Sequence, residues 1–182
     1  SQWSDNGYGH SVILNMISAN KIKGIVDYTV AEPLFDKRYH TLIPCRDEWV
    51  DRTPGNRRYV DFYTDGSKLD NQVGLGVYSE DLGLEMALRL PDYCSVYQAE
   101  ILAIAEVAKW LRCNVLTKVG INIFSDSQAA IKSLESVFLN STSALNCRKS
   151  LNEMAQQFDI HLIWEPGHRD IPGNCRADEL AR

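Results

Sequence analysis

Four acidic residues stand where a fold can gather them. Asp65 closes the apolar run "YVDFYTD", Glu100 lies about one turn into "SVYQAEILAI", Asp126 closes "INIFSD", and Asp178 lies within "NCRADEL". An aspartate that ends a strand and is followed at once by Gly66 and Ser67 has two readings, the opening of a turn and a charge placed for work. Asp126 has a plain alternative as a helix cap, with Ser125 and Gln128 at capping-box spacing. Glu100 and Asp178 suit the positive end of a helix dipole. Each acid alone leaves both readings open, whereas all four at such junctions point to one convergent site. Clustered carboxylates repel, each pair about 4 Å apart costing roughly 1–4 kcal/mol at effective dielectrics of about 80 to 20. Protons or cations must relieve that repulsion. Oxygen-only ligands select hard ions, Mg2+ or Mn2+, over zinc. Two such ions would roughly neutralise the cluster and let an acidic protein accept a phosphodiester for in-line displacement by water.

Those acids need elements to hold them. "YVDFYTD", "VGLGVYSE" and "GLEMALRLP" predict three antiparallel strands joined by short turns, and Gly74 and Gly76 suggest close backbone approach in the second. "SVYQAEILAIAEVAKWLRC" predicts a long helix. Ser95 and Gln98 have capping-box spacing, and Ile101, Ile104, Ala105, Ala108 and Leu111 form the apolar stripe. A fourth strand in "VGINIFSD", helices in "SQAAIKSLES" and "SALNCRKSLNEMAQQF", a fifth strand in "IHLIWEP" and a last helix opening at "GNCRADELAR" complete the order. The class is α/β: a five-stranded mixed sheet, three antiparallel strands then two parallel, with helices on both faces.

Residues 1–58 form no clear independent unit. An amphipathic helix is expected through "GHSVILNMISANK", then an extended stretch, "KRYHTLIPCRDEWV". The turn-rich "DRTPGNRR" marks a boundary between a 1–58 extension and a 59–182 domain. The chain has 182 residues, 45% of them hydrophobic, enough for one domain with a real core plus an extension. No apolar run approaches the ~18 residues of a membrane helix, and no signal-peptide pattern opens the chain. Five scattered cysteines without a C-x-x-C motif favour reduced thiols in the nucleus or cytoplasm over a disulfide frame or zinc knuckle. Net charge is −5, with +1 in residues 1–58 and −6 in 59–182. General positive charge is not what attracts a ligand to the second part.

The segments "YTDGSK", "SVYQAEILAI", "IFSDSQAAI" and "WEPGHRDIPGNCRADELAR", as an ordered set, closely resemble the type 1 ribonuclease H domain. The version they resemble most is carried by non-LTR (LINE-like) retrotransposon polyproteins, after the reverse transcriptase. The resemblance spans about Tyr59 to Arg182, and "HTLIPCRDEWVDRTPGN" resembles the connector before that domain. It implies a ribonuclease H-like fold and endonucleolytic hydrolysis of the RNA strand of RNA–DNA hybrids, leaving a 3′-hydroxyl and a 5′-phosphate. Two Mg2+ ions (or Mn2+) would serve, held by the catalytic acids Asp65, Glu100, Asp126 and Asp178, with Asp65 bridging both. His168 in "PGHRDIPGN" would handle protons or product release, as an imidazole near neutral pH can. Gln128 matches a position reaching the minor groove, and Ser95 one touching a DNA phosphate, although its capping role is the stronger reading. Backbone near Gly66 and Ser67 would face the scissile ribose, whose 2′-hydroxyl marks RNA. The implied partners are the hybrid and the reverse transcriptase of the same polyprotein. His10, His40 and His161 carry no assigned role.

Three features depart from the family pattern. Cys175 stands where an acid is usual, Arg169–Asp170 stands where small residues are usual, and the chain stops four residues after Asp178, so the last helix reads as truncated. Between Asp126 and Gly167 the only cations are Lys132, Arg148 and Lys149, implying weak intrinsic hybrid binding. The alternatives are an inactive domain of this fold serving as spacer or nucleic-acid tether, a DNA-acting metal nuclease or transposase, and a partner-binding module.

Overall fold

The computed structural model describes residues 27–45, 59–117, 120–167 and 171–182. The helix expected within 9–21, the linker at 51–58, His10, and the loop residues His168, Arg169 and Asp170 lie outside the described residues. In chain order the elements are β1 (Tyr28–Pro33), β2 (His40–Leu42), β3 (Tyr59–Leu69), β4 (Gln72–Ser79), β5 (Leu84–Leu90) and α1 (Val96–Cys113). Then come β6 (Gly120–Ser125), α2 (Gln128–Glu135), β7 (Phe138–Ser141), α3 (Thr142–Met154), β8 (Asp159–Trp164) and α4 (Pro172–Ala181).

The main sheet runs β2-β8-β6-β3-β4-β5. β2, β8, β6 and β3 are parallel, and β3, β4 and β5 are antiparallel. The expected five-stranded sheet therefore has six strands among the described residues, because His40–Leu42 of the extension adds a parallel edge strand. β7 pairs with β1 in a separate antiparallel ribbon. Both additions are very short strands whose partners lie far away in the chain.

Asp65 does not open a turn. β3 continues past it to Leu69, pairing Asp65 with Gly76 and Gly66 with Leu75. The turn falls at Asp70–Asn71, both left-handed at φ 48° and 61°, the twist that tight hairpins favour. Asp65 thus sits where β3 leaves its parallel neighbour and keeps only its antiparallel one.

The predicted cap of α1 forms in full. Ser95 Oγ accepts from Gln98 N–H, and Gln98 Oε1 accepts from Ser95 N–H, a motif worth about 1 kcal/mol. At α2 the expectation fails. Ser127, not Asp126 or Ser125, is the N-cap, accepting from Ala130 N–H, while Ser125 Oγ accepts from Ser127 N–H.

One layer of core joins α1, α2 and α3 to Val60, Phe62, Ile121, Ile123, Ile160 and Leu162 of the sheet. Ile101 and Ile104 of α1 are fully buried in it, each contributing about 1.5–3 kcal/mol. The opposite face packs Tyr63, Phe124 and Ile163 with Ala177 of α4. The closeness expected at Gly74 and Gly76 is real: a Cβ there would lie 2.3 Å from Ala181 O and 2.1 Å from Ala177 O. α4 is seated directly on β4, opposite Asp65. The described part of the extension is fastened too. The buried Arg148 guanidinium donates to Asp36 O and Ser136 O, and Tyr39 O–H donates to Leu134 O. No described helix is long and apolar enough to cross a membrane.

Candidate active site

The parallel register aligns Thr64, Ser125 and Trp164 across β3, β6 and β8. The next residue on each strand is an acid: Asp65, Asp126 and Glu165. Hydrogen bonds hold this level together. Thr64 O–H donates to Phe124 O at 2.9 Å, Glu165 N–H to Ser125 O at 3.0 Å, and the Trp164 indole N–H to Asp126 O at 3.0 Å.

Glu100 arrives from α1. Gly66 permits this, since a Cβ there would stand 2.5 Å from Glu100 N. Its backbone N–H lies close enough to the Asp65 and Glu100 carboxyl groups to oppose, in small part, the upward shift of both. Carboxylate oxygens of Asp65, Glu100 and Asp126 all lie within 4.8 Å of one another. Asp178 flanks this group closely enough to raise the pKa of Asp65. Its own oxygens, however, are paired with Arg182 at 3.0 and 2.7 Å. Three of the four expected acids thus converge, and the fourth is held beside them by an arginine one turn along its helix. Neither Glu100 nor Asp178 lies in the first turn of its helix, so the dipole does not explain their positions.

Burial and mutual repulsion dominate the electrostatics. Burial first, then Asp126 and Asp178, pushes the Asp65 carboxyl up to about 7. Burial, then Asp65 and Asp126, pushes Glu100 up to about 9. Among the described residues Glu100 Oε2 has no hydrogen-bond partner. A buried, oxygen-only donor set with a spare lone pair fits a hard divalent cation and would be relieved by one.

Glu165 was missed by sequence reasoning, although the signal was present. "IHLIWEP" ends an apolar strand on an acid, as "YVDFYTD" and "INIFSD" do. Glu165 is fully buried, neither oxygen has a partner among the described residues, and burial with Asp126 and Asp65 raises it to about 8. A buried polar group left unpaired costs about 1–3 kcal/mol. Glu165→Met, of similar volume, is therefore expected to raise the metal-free unfolding free energy by about that amount. Urea unfolding in chelator checks this, and an unchanged or lower midpoint contradicts it.

The remaining candidates are spread around the acids. Gln128 opens α2 two residues after Asp126, Ser67 pairs with Gly74 on the hairpin, and Ser95 caps α1. Cys175 is exposed on α4.

A sequence profile described as RNase H matches residues 57–182. Among solved structures, the crystal structure of RNase H1 from the halophilic archaeon Halobacterium salinarum NRC-1 is similar, at 26% identity and a TM-score of 0.50. The match covers 68% of this chain and 94% of that one.

Proposed function

The chain belongs to the RNase H family of ribonucleases, and from that premise we propose that it cuts the RNA strand of RNA–DNA hybrids by two-metal-ion hydrolysis, leaving a 3′-hydroxyl and a 5′-phosphate. The observation that carries this reading is the convergence of Asp65, Glu100 and Asp126 within 4.8 Å, with two of their carboxyl groups pushed to about 7 and about 9. Asp65, Glu100 and Asp126 would hold one Mg2+ ion. Asp178, once Arg182 gives way, would join Asp65 at the other. When bound, such ions supply an activated water and stabilise the leaving oxygen.

The protein's own groups do the rest. Gly66 lets Glu100 come up against Asp65, and the Trp164 indole fixes the backbone at Asp126. Backbone near Gly66 and Ser67 meets the ribose, Gln128 the minor groove, and the Ser95 hydroxyl, beyond its cap, a DNA phosphate. Arg148 is buried, so Lys132 and Lys149 alone remain in the 126–167 stretch to meet phosphates. Weak intrinsic binding suits a domain tethered to a polymerase on the same hybrid, where the tether supplies effective concentration. The resemblance to LINE-like polyproteins and the 1–58 connector supports that setting.

Hybrids labelled on either strand, beside single-stranded RNA, duplex RNA and duplex DNA, test the substrate. Magnesium-dependent cutting of the hybrid's RNA strand alone is expected, and equal cutting of DNA would overturn the proposal. His168, carried by the resemblance, is expected to act on protons. His168→Ala should slow turnover by about 10²–10⁴-fold with unchanged metal affinity. A calorimetric loss of that affinity would make it a ligand instead.

A further inference from the structure

A second cluster lies toward the other end of β8, where β2 runs beside it. Pairing of β2 with β8 sets His40 directly opposite His161, and Asp159, two residues earlier on β8, shares the face of His161. Asp159 and Glu165 are six residues apart along the chain, about 20 Å at ~3.3 Å per residue. The cluster is therefore separate from the acidic site. Its donor atoms all lie within 4.8 Å of one another. Asp159 Oδ1 is 3.2 Å from His161 Nε2 and 3.9 Å from His40 Nε2. A tetrahedral cation with bonds near 2.0–2.2 Å wants its donors about 3.3–3.5 Å apart, so small side-chain movements close the set.

Tyr59 supplies an independent support. Its O–H donates to Asp159 Oδ2 at 2.6 Å, and its ring lies over Gly120, where a Cβ would be 2.3 Å away. One carboxylate oxygen is thereby fixed while the other faces both imidazoles. Outer partners that hydrogen-bond a ligating carboxylate orient metal ligands in this way. A simple ion pair with Asp159 needs one histidine; the second comes from a separate segment of the chain.

We propose that His40, Asp159 and His161 bind a borderline divalent transition cation, Zn2+ foremost, which clasps the N-terminal extension to the edge of the sheet. Two imidazoles and one carboxylate suit zinc rather than magnesium. Side-chain exposures of 69%, 45% and 26% leave the ion an entry path and an open fourth position. β2 is only three residues long, and a cation bridging residue 40 to residues 159 and 161 adds a crosslink to that short pairing.

The test is Zn2+ titration of the full chain, stripped by chelator and held in excess Mg2+ to occupy the acidic site, with amide hydrogen exchange read at residues 40–42. Saturable Zn2+ binding is expected, weakened about tenfold or more by His40→Gln or Asp159→Asn. Tyr59→Phe keeps the ring over Gly120 and is expected to weaken binding within the roughly 10–100-fold range of outer-partner losses. Zn2+ should slow exchange at residues 40–42 in the wild type and not in His40→Gln. Absence of saturable binding, or binding and exchange that none of the three substitutions changes, would overturn the clasp.

Discussion

Asparagine in place of Asp65 is expected to remove cleavage while leaving the metal-free protein at least as stable as the wild type. The two effects share one cause. Asp65 sits 7% exposed beside Glu100, Asp126 and Asp178, and its carboxyl is raised to about 7 by burial first, then by Asp126 and Asp178. The carboxylate is thus kept where it is uncomfortable unless a cation occupies the site. Asparagine retains the shape and one oxygen but carries no charge for the ions to meet. Losing one preorganised electrostatic group typically costs about 10²–10³-fold, and an acid that, on the proposed reading, serves two ions should cost more. Asparagine at the same time removes a source of repulsion worth roughly 1–4 kcal/mol per close pair. Single-turnover cleavage and chelator-treated urea unfolding, measured on one preparation, check both halves. Near-normal magnesium-dependent turnover would refute the metal role. A large fall in metal-free stability would refute the electrostatic explanation.

Stability of the metal-free protein is expected to fall as pH rises from about 5 to about 9. Asp65, Glu100 and Glu165 have folded values of about 7, about 9 and about 8, all above those of exposed carboxyls near 4. Across that window the folded chain keeps protons that the unfolded chain has released. The unfolding free energy therefore declines with pH, and the stabilisation present at low pH is lost as each folded value is passed. Each proton held by the folded chain and not by the unfolded one costs about 1.4 kcal/mol of stability per pH unit climbed, so three buried groups should together lose at least about 3 kcal/mol. Asp159 and Glu85 are displaced the other way, chiefly by their bonds to Tyr59 and Arg176, and act below this window. Magnesium binds the deprotonated acids and should narrow the difference. Urea midpoints at pH 5.5 and 8.5, with chelator and with magnesium, read it directly. A midpoint in chelator that is constant or rises with pH would contradict the electrostatics.

Much of the site was legible because its signals are local. An acid closing a β-rich run, the Ser95–Gln98 box and the glycines of "VGLGVYSE" each declare themselves within a few residues. Features that depend on partners far along the chain did not. β2 and β7 are too short to show a period, and only their pairing with β8 and β1 makes them strands. The first strand was drawn too short, ending at Asp65, because Asp65-Gly66-Ser67 carries the same turn chemistry as Asp70-Asn71, and only pairing with β4 decides between them. Ser125, Asp126 and Ser127 are three adjacent capping candidates, and register selects the last. Asp178 could be placed near the acids, but its pairing with Arg182 depends on side-chain geometry. Glu165 was overlooked beside a stronger motif, and the meeting of His40 with His161 needs a strand register that neither segment reveals.

Magnesium titration into chelator-treated protein by calorimetry, near neutral pH and in two buffers of different ionisation enthalpy, bears most directly on the acidic cluster. Saturable binding should release protons, because Asp65 and Glu100, at about 7 and about 9, hold them in the empty site and must give them up to a cation. Asp65→Asn and Glu100→Gln should each abolish or severely weaken that binding. Binding without proton release, or affinity that survives both substitutions unchanged, would show that these converging carboxylates are not a metal site.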